Sequence, residues 1–222
     1  MSGVTYDYME QYIRELIPSN VGILEELEEF ALLNRVPIIQ KETAKFLQLV
    51  LTMNKPKKIL ELGTAIGYSS ILMSLTLNGL VEITTIERDK EMVKIANKNI
   101  EKSGLQSSIT VLEGDCLEIM ESLQGQYDMI FMDAGKAHYN HFLPNCLRLL
   151  NKDGVLIADN VLFRGMVASK ELATRRKVTI IKRMKSYLEL VSNNDELITS
   201  VIPMGDGISV TMRVNTLSSK EE

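Results

Sequence analysis

The sequence predicts an α/β fold: a mostly parallel, doubly wound sheet with an antiparallel C-terminal strand, preceded by N-terminal helices. Three observations predict it. From Lys57 onward, short apolar runs alternate with longer amphipathic segments, the pattern of successive βαβ units. The first run, Lys58-Ile59-Leu60-Glu61-Leu62, passes into Gly63-Thr64-Ala65-Ile66-Gly67, a strand turning sharply into a helix. The last two runs, 197–203 and 207–214, are joined only by Met204-Gly205-Asp206, which makes them antiparallel neighbours.

Before the first strand, about fifty residues have helical pattern. Tyr8, Tyr12 and Leu16 share one face, and Pro18-Ser19-Asn20 ends that helix and caps the next, which carries Ile23, Leu24, Leu27, Phe30 and Ala31. Pro37 stops the second helix, and a third is expected over 41–53. The apolar Val36-Pro37-Ile38-Ile39 between them is able to close over the glycine loop. Strands are then expected near 57–62, 81–86, 108–112, 127–132 and 154–159, and helices near 67–78, 89–103, 115–123, 138–150 and 169–191. Residues 1–55 read as a helical extension packed on the core, 56–215 as the core, and 216–222 as a loose tail.

At 222 residues and 45% hydrophobic content, the chain suits one well-buried core. Cys116 and Cys146 cannot build a disulfide framework, and no apolar run is long enough to span a bilayer, so no membrane partner and a cytoplasmic location are expected. The net charge of −4 is unevenly spread. Residues 164–185 hold Arg164, Lys170, Arg175, Arg176, Lys177, Lys182, Arg183 and Lys185 against only Glu171.

The glycine loop indicates a cofactor. Gly63 and Gly67 let the backbone turn tightly, and the helix behind them offers free N–H groups. A dinucleotide loop reads G-x-G-x-x-G, whereas this one reads E-x-G-x-x-x-G, and a carboxylate at Glu61 suits a cationic amine better than a phosphate. In open α/β sheets, ligands bind beyond the carboxyl ends of the strands. Those ends carry Glu61, Glu87, Asp115, Asp133 and Asp159-Asn160. Glu87 lies where a ribose-binding acid is expected, and Asp115 is placed to reach an adenine amine; helix capping is the plain alternative for each. Asp133, Asp159 and Asn160 form an all-oxygen set that favours a hard cation such as Mg²⁺. For Asp159-Asn160 the plain alternative is a cap or turn pair. His138 and His141 lack a matching ligand set and read as surface or capping residues, while Tyr139 and Phe142 either line the cleft or pack. The twelve methionines read as core filler.

These motifs carry a resemblance. Glu61-Leu-Gly-Thr-Ala-Ile-Gly-Tyr-Ser69, Met132-Asp133-Ala134-Gly135-Lys136, Asp159-Asn160-Val161-Leu162 and Gly205-Asp206-Gly207 resemble the cation-dependent class I O-methyltransferases over nearly all of 36–214. That group includes the catechol and caffeoyl-coenzyme A enzymes. Within it the chain is most similar to the bacterial tRNA 5-hydroxyuridine methyltransferases, partly through Asn34-Arg35-Val36-Pro37-Ile38-Ile39-Gln40-Lys41. The resemblance implies a Rossmann-like class I methyltransferase fold with a seven-stranded sheet. It implies S-adenosylmethionine near Val36, Glu61, Gly63, Ile66, Ser69, Glu87, Asp115, Cys116 and Asp133, and a divalent cation such as Mg²⁺ on Asp133, Asp159 and Asn160. Many relatives read Asp-Ala-Asp-Lys where this chain has Asp133-Ala134-Gly135-Lys136, so one carboxylate able to touch the cofactor is absent.

On this reading Asp133 and Lys136 are the catalytic pair. Lys136 accepts the hydroxyl proton or stays charged and steadies the oxyanion, and orientation supplies much of the rate. The basic stretch reads as a solvated helix face or as a surface that receives phosphates beside the site. The second reading implies tRNA, bound near its anticodon by Arg164, Arg175, Arg176 and Lys177, with Arg35 and Lys41 extending the patch. The expected reaction converts wobble 5-hydroxyuridine to 5-methoxyuridine. A small-molecule catechol O-methyltransferase is the alternative, and a non-catalytic nucleotide-binding module a more distant one. The helical N-terminus and the exposed sheet end also predict a homodimer.

Overall fold

The computed structural model describes residues 4–169 and 171–214. Lys170 and the tail 216–222 lie outside them.

Seven strands form one sheet: β1 (Lys58–Leu62), β2 (Glu82–Glu87), β3 (Ile109–Glu113), β4 (Tyr127–Met132), β5 (Leu150–Ala158), β6 (Leu197–Ile202) and β7 (Ile208–Arg213). Their order is β3-β2-β1-β4-β5-β7-β6. β7 runs antiparallel to both its neighbours, β5 and β6, and the pairs from β3 to β5 are parallel. The expected sheet and its C-terminal hairpin are therefore present.

Strand alternation explains why both faces are covered. Leu60, Leu62, Ile130, Met132, Leu156 and Ala158 belong to one buried cluster; Ile59, Met129, Phe131, Val155 and Ile157 belong to the other. Successive side chains point to opposite faces, so near-continuous apolar runs demand helices on each side. The first cluster is closed by α6 (Cys116–Ser122), α7 (Tyr139–Leu149) and α8 (Val178–Ser192). The second is closed by α2 (Ile23–Asn34), α3 (Lys41–Asn54), α4 (Tyr68–Thr76) and α5 (Lys90–Lys102).

Two expectations are corrected. The helix expected over 169–191 starts only at Val178, after a 3-10 turn at Arg175–Lys177, because 161–168 fold back as turns against the β6–β7 connection. Asn20 does not cap α2. Gly22 stands at that position without a side-chain bond, and the Asn20 amide donates instead to Glu28 and to the Tyr68 hydroxyl.

The most N-terminal helix, α1 (Asp7–Glu15), buries no residue of its own, and Tyr8, Tyr12 and Leu16 are exposed. It is held by Arg14. That guanidinium bonds both carboxylate oxygens of the buried Glu42 at 2.8 and 2.9 Å, with Gln40 and Glu10 completing its partners. No helix among the described residues is long and apolar enough to cross a membrane.

Candidate active site

Backbone bonds at the carboxyl rim of the sheet carry the strand pairing into the loops. Gly63 N–H donates to Ile86 O, Gly114 N–H to Glu87 O, Asp133 N–H to Leu62 O and Asp159 N–H to Met132 O, all within 3.0 Å. Acidic residues far apart in sequence thereby stand side by side. They border a cavity of about 670 Å³, within the usual range for small-molecule sites.

Gly63 has φ +99°, and a Cβ there would lie 2.7 Å from the Asp133 carbonyl oxygen. Only glycine lets the β1 and β4 ends approach this closely. Glu87 is aimed by two backbone amides: Oε2 accepts Ala65 N–H and Oε1 accepts Asp89 N–H, both at 2.9 Å. Its remaining lone pairs can accept hydroxyl donors. Asp115 borders the cavity and also caps α6 by accepting Leu117 N–H, so the capping and lining readings both apply. The neighbouring Cys116 thiol is pushed up to about 12 by burial and then by nearby Asp115 and Glu87, so it lines the cavity as a neutral group.

Of the residues expected around a cofactor, Gly63, Ser69, Glu87, Asp115, Cys116 and Asp133 border the cavity. Val36, Glu61 and Ile66 do not, although Pro37, Ile38 and Ile39 do. Glu61 is wholly buried and accepts hydrogen bonds from the Ser70 and Thr85 hydroxyls. Its other oxygen, Oε1, makes no hydrogen bond of regular geometry among the described residues, although the Ser69 hydroxyl also acts on this carboxyl. Burial raises its pKa, which favours the neutral acid over a free carboxylate facing an amine.

Asp133, Asp159, Asn160 and Lys136 border the same cavity. Burial raises the pKa of Asp133 most, and the nearby Asp159 charge adds to it; Asp159 is raised by burial against the opposing pull of Asn160 N–H and Lys136. Asn160 holds φ +59°, and Phe163 and Arg164 follow with positive φ, a cluster of uncommon backbone conformations beside the site. No group of three or more His, Cys, Asp or Glu among the described residues is arranged to hold a metal. The oxygen set is two carboxylates and one amide. Such a set fits a hard divalent cation that keeps open positions, because positive charge relieves the crowded carboxylates.

Several contacts were not legible in the sequence, although Tyr139, His138 and Phe142 were named there; Phe142 lines the cavity and Tyr139 packs behind it. Tyr139 is fully buried, and its hydroxyl contacts the carbonyls of Met132 and Asp159 at 3.1 and 3.0 Å, tying the ends of β4 and β5 together. Arg14 and Glu10 border the cavity from α1. Tyr68, also on the wall, donates to Glu28 of α2 at 2.6 Å. His138 borders the cavity and packs on Phe142 and His141.

The basic residues divide by position. Arg164 reaches the cavity edge, and Arg175 and Arg176 are exposed on the turn before α8. The Lys177 ammonium lies 4.7 Å from the Phe163 ring centroid, and Arg183 donates to Ala137 O beside Lys136. Lys41 borders a separate recess next to α1, and Arg35, in a left-handed conformation after α2, borders neither cavity.

Comparison with known proteins agrees with this geometry. The O-methyltransferase family model matches residues 15–214. A catechol O-methyltransferase from Niastella koreensis is 31% identical over 194 residues, covering 85% of this chain and 87% of its own. A caffeoyl-CoA O-methyltransferase from Populus kitakamiensis is 28% identical, covering 93% of each chain. The crystal structure of a caffeoyl-CoA O-methyltransferase candidate from Staphylococcus aureus superposes with a TM-score of 0.86 at 32% identity, over 94% of this chain and all of that one. With the fold, the glycine loop and the acidic rim in place, the chain belongs to the O-methyltransferase family, as an S-adenosylmethionine-dependent enzyme.

Proposed function

We propose that this enzyme methylates a hydroxyl oxygen that has a second oxygen beside it, and that its substrate is the wobble 5-hydroxyuridine of tRNA, giving 5-methoxyuridine. One observation carries the substrate choice. The loop leaving Asp159-Asn160 carries Arg164, which borders the cavity, and the exposed Arg175 and Arg176 follow on the turn before α8, so the segment after Asn160 offers cations suited to phosphates.

Within the cavity, Glu87 accepts the ribose hydroxyls of S-adenosylmethionine and Asp115 borders the adenine end. Cys116 and the Pro37–Ile39 segment exclude water. Asp133, Asp159 and Asn160 would hold Mg²⁺ or a similar cation. Such an ion would supply positive charge that lowers the cost of forming the acceptor oxyanion, and the second oxygen of the acceptor suits the same hard charge. Lys136 Nζ takes the hydroxyl proton or, as the ammonium, steadies the oxyanion. The O–CH₃ bond forms as the S–CH₃ bond breaks, leaving S-adenosylhomocysteine. A neutral Cys116 supplies no competing nucleophile, so the rate rests on in-line placement.

A small catechol is the second reading, favoured by the 31% identical catechol O-methyltransferase. Transfer of label from S-adenosylmethionine to hydroxyuridine-containing tRNA and to catechol, each with Mg²⁺ and with chelator, separates the two. Chelator-sensitive transfer to tRNA, with affinity falling steeply with salt and flattened by replacing Arg175, Arg176 and Lys177, is the expected result. Transfer confined to catechol would leave the basic turn as a solvated face. We further infer action in the cytoplasm as a homodimer. Exposed Leu32, Leu33, Leu49 and Met53 on α2 and α3 support the dimer, which sedimentation would test.

A further inference from the structure

The connection between β6 and β7 lies on the same rim, beside the end of β5 where Ala158 pairs with Ser209, and reaches into the active site. Asp206 stands there between Gly205 and Gly207, both at positive φ, with only 10% of its side chain exposed. Its Oδ1 accepts the Arg164 backbone N–H, its carbonyl accepts Leu162 N–H at 3.0 Å, and the Gly207 carbonyl accepts Val161 N–H at 2.9 Å. Three backbone amides of the loop that follows Asn160 therefore end on this connection. The other carboxylate oxygen, Oδ2, lies 3.7 Å from Lys136 Nζ. The Lys136 side chain is about one-third exposed and otherwise faces the Phe163 ring, with Nζ 6.0 Å from its centroid.

Lys136 follows Gly135, which has φ +44° and no side chain to restrain it, and it opens a 3-10 turn of three residues. A long, flexible amine on a short turn needs a partner to hold one direction. We propose that Asp206 is a positioning residue: its carboxylate fixes Lys136 Nζ relative to the Asp159-Asn160 loop, so that the amine meets the acceptor hydroxyl in one orientation. The inference rests on the reading of Lys136 given above. Asp206 borders the cavity; as a positioning residue it acts through Lys136, and its other carboxylate oxygen holds the loop that follows Asn160. An ammonium formed when Lys136 takes the proton is paired where it forms.

Asp206→Asn keeps an oxygen for Arg164 N–H and removes only the charge. The test is a double-mutant cycle with Lys136→Met, measuring methyl transfer at saturating S-adenosylmethionine together with cofactor KM and Tm. Asp206→Asn alone is expected to lower kcat about tenfold, in the lower part of the range for general acid–base effects, with cofactor KM changed less than about twofold. In the Lys136→Met background it is expected to have almost no further effect. Equal loss in both backgrounds, or a loss that tracks cofactor KM or Tm, would overturn the positioning role. An impaired Lys136→Met protein beside an unimpaired Asp206→Asn protein would overturn it while leaving the Lys136 reading intact. A fully active Lys136→Met protein would remove the Lys136 reading and this inference with it.

Discussion

Gly63→Ala perturbs the point where the cofactor loop meets the acidic rim. The glycine holds φ +99°, and the added methyl would stand 2.7 Å from the Asp133 carbonyl oxygen, 3.0 Å from its carbon and 3.1 Å from the Ala134 Cβ. Adopting that backbone conformation with an L side chain costs about 1–3 kcal/mol. Overpacking against main chain, which cannot swing aside as a side chain can, adds about 1–3 kcal/mol. A loss of roughly 3 kcal/mol in a chain of this size corresponds to a Tm about 6–12 °C lower. The methyl is relieved only by parting β1 from β4, which moves Asp133. A shift on the order of 1 Å at a reacting centre costs about a hundredfold in rate. Thermal unfolding followed by circular dichroism gives the first quantity, and methyl transfer assayed well below the new Tm gives the second. A Gly63→Ala protein with native Tm and native turnover would refute the close approach of the two strand ends as the reason for glycine.

Two further outcomes follow from buried charge. Glu61 has a raised pKa because burial disfavours its ionised form. The folded state therefore holds this proton more tightly than the unfolded state, and the associated stability is present at low pH and lost as pH rises through the folded value. Glu61→Gln keeps the shape without ionising, and the Ser70 and Thr85 hydroxyls can reverse to suit it. Urea unfolding across pH should show the mutant gaining on the parent as pH rises above about 4.5, near the ordinary carboxylate value; parallel curves would count against it. Arg14→Met leaves Glu42 buried without its guanidinium. The Arg14 side chain is itself 39% exposed, so solvent screening limits the loss to about 1–2 kcal/mol. Because α1 buries no residue of its own, hydrogen exchange should accelerate first over residues 7–15; unchanged protection there would show that the helix is held by something else.

Much of this molecule was legible in local pattern. Alternating apolar and amphipathic runs gave the order of strands and helices, because side-chain periodicity and turn chemistry act over a few residues. The short Met204-Gly205-Asp206 link was enough to require an antiparallel pair. Acidic residues at strand ends could be named because an open parallel sheet gathers those ends on one rim. Charge composition marked 164–185 as unusual without saying which cations stay free, and the tertiary fold uses Arg183 to hold Ala137 and sets Lys177 over Phe163.

Contacts between distant segments were settled only by the tertiary structure. Tyr139 bridges two strand ends because the sheet places β4 beside β5, and Asp206 reaches Lys136 because β7 inserts between β5 and β6. Glu61 reads in sequence as a ligand at a strand end, yet Ser70 and Thr85 enclose it away from the cavity. Sequence by itself determined the order of strands and helices and which acidic residues stand at the strand ends. Which carboxylates border the cavity, which amine stands beside Asp206 and which arginine anchors the first helix were decided by packing, since burial and pairing depend on residues tens of positions away that no local pattern records.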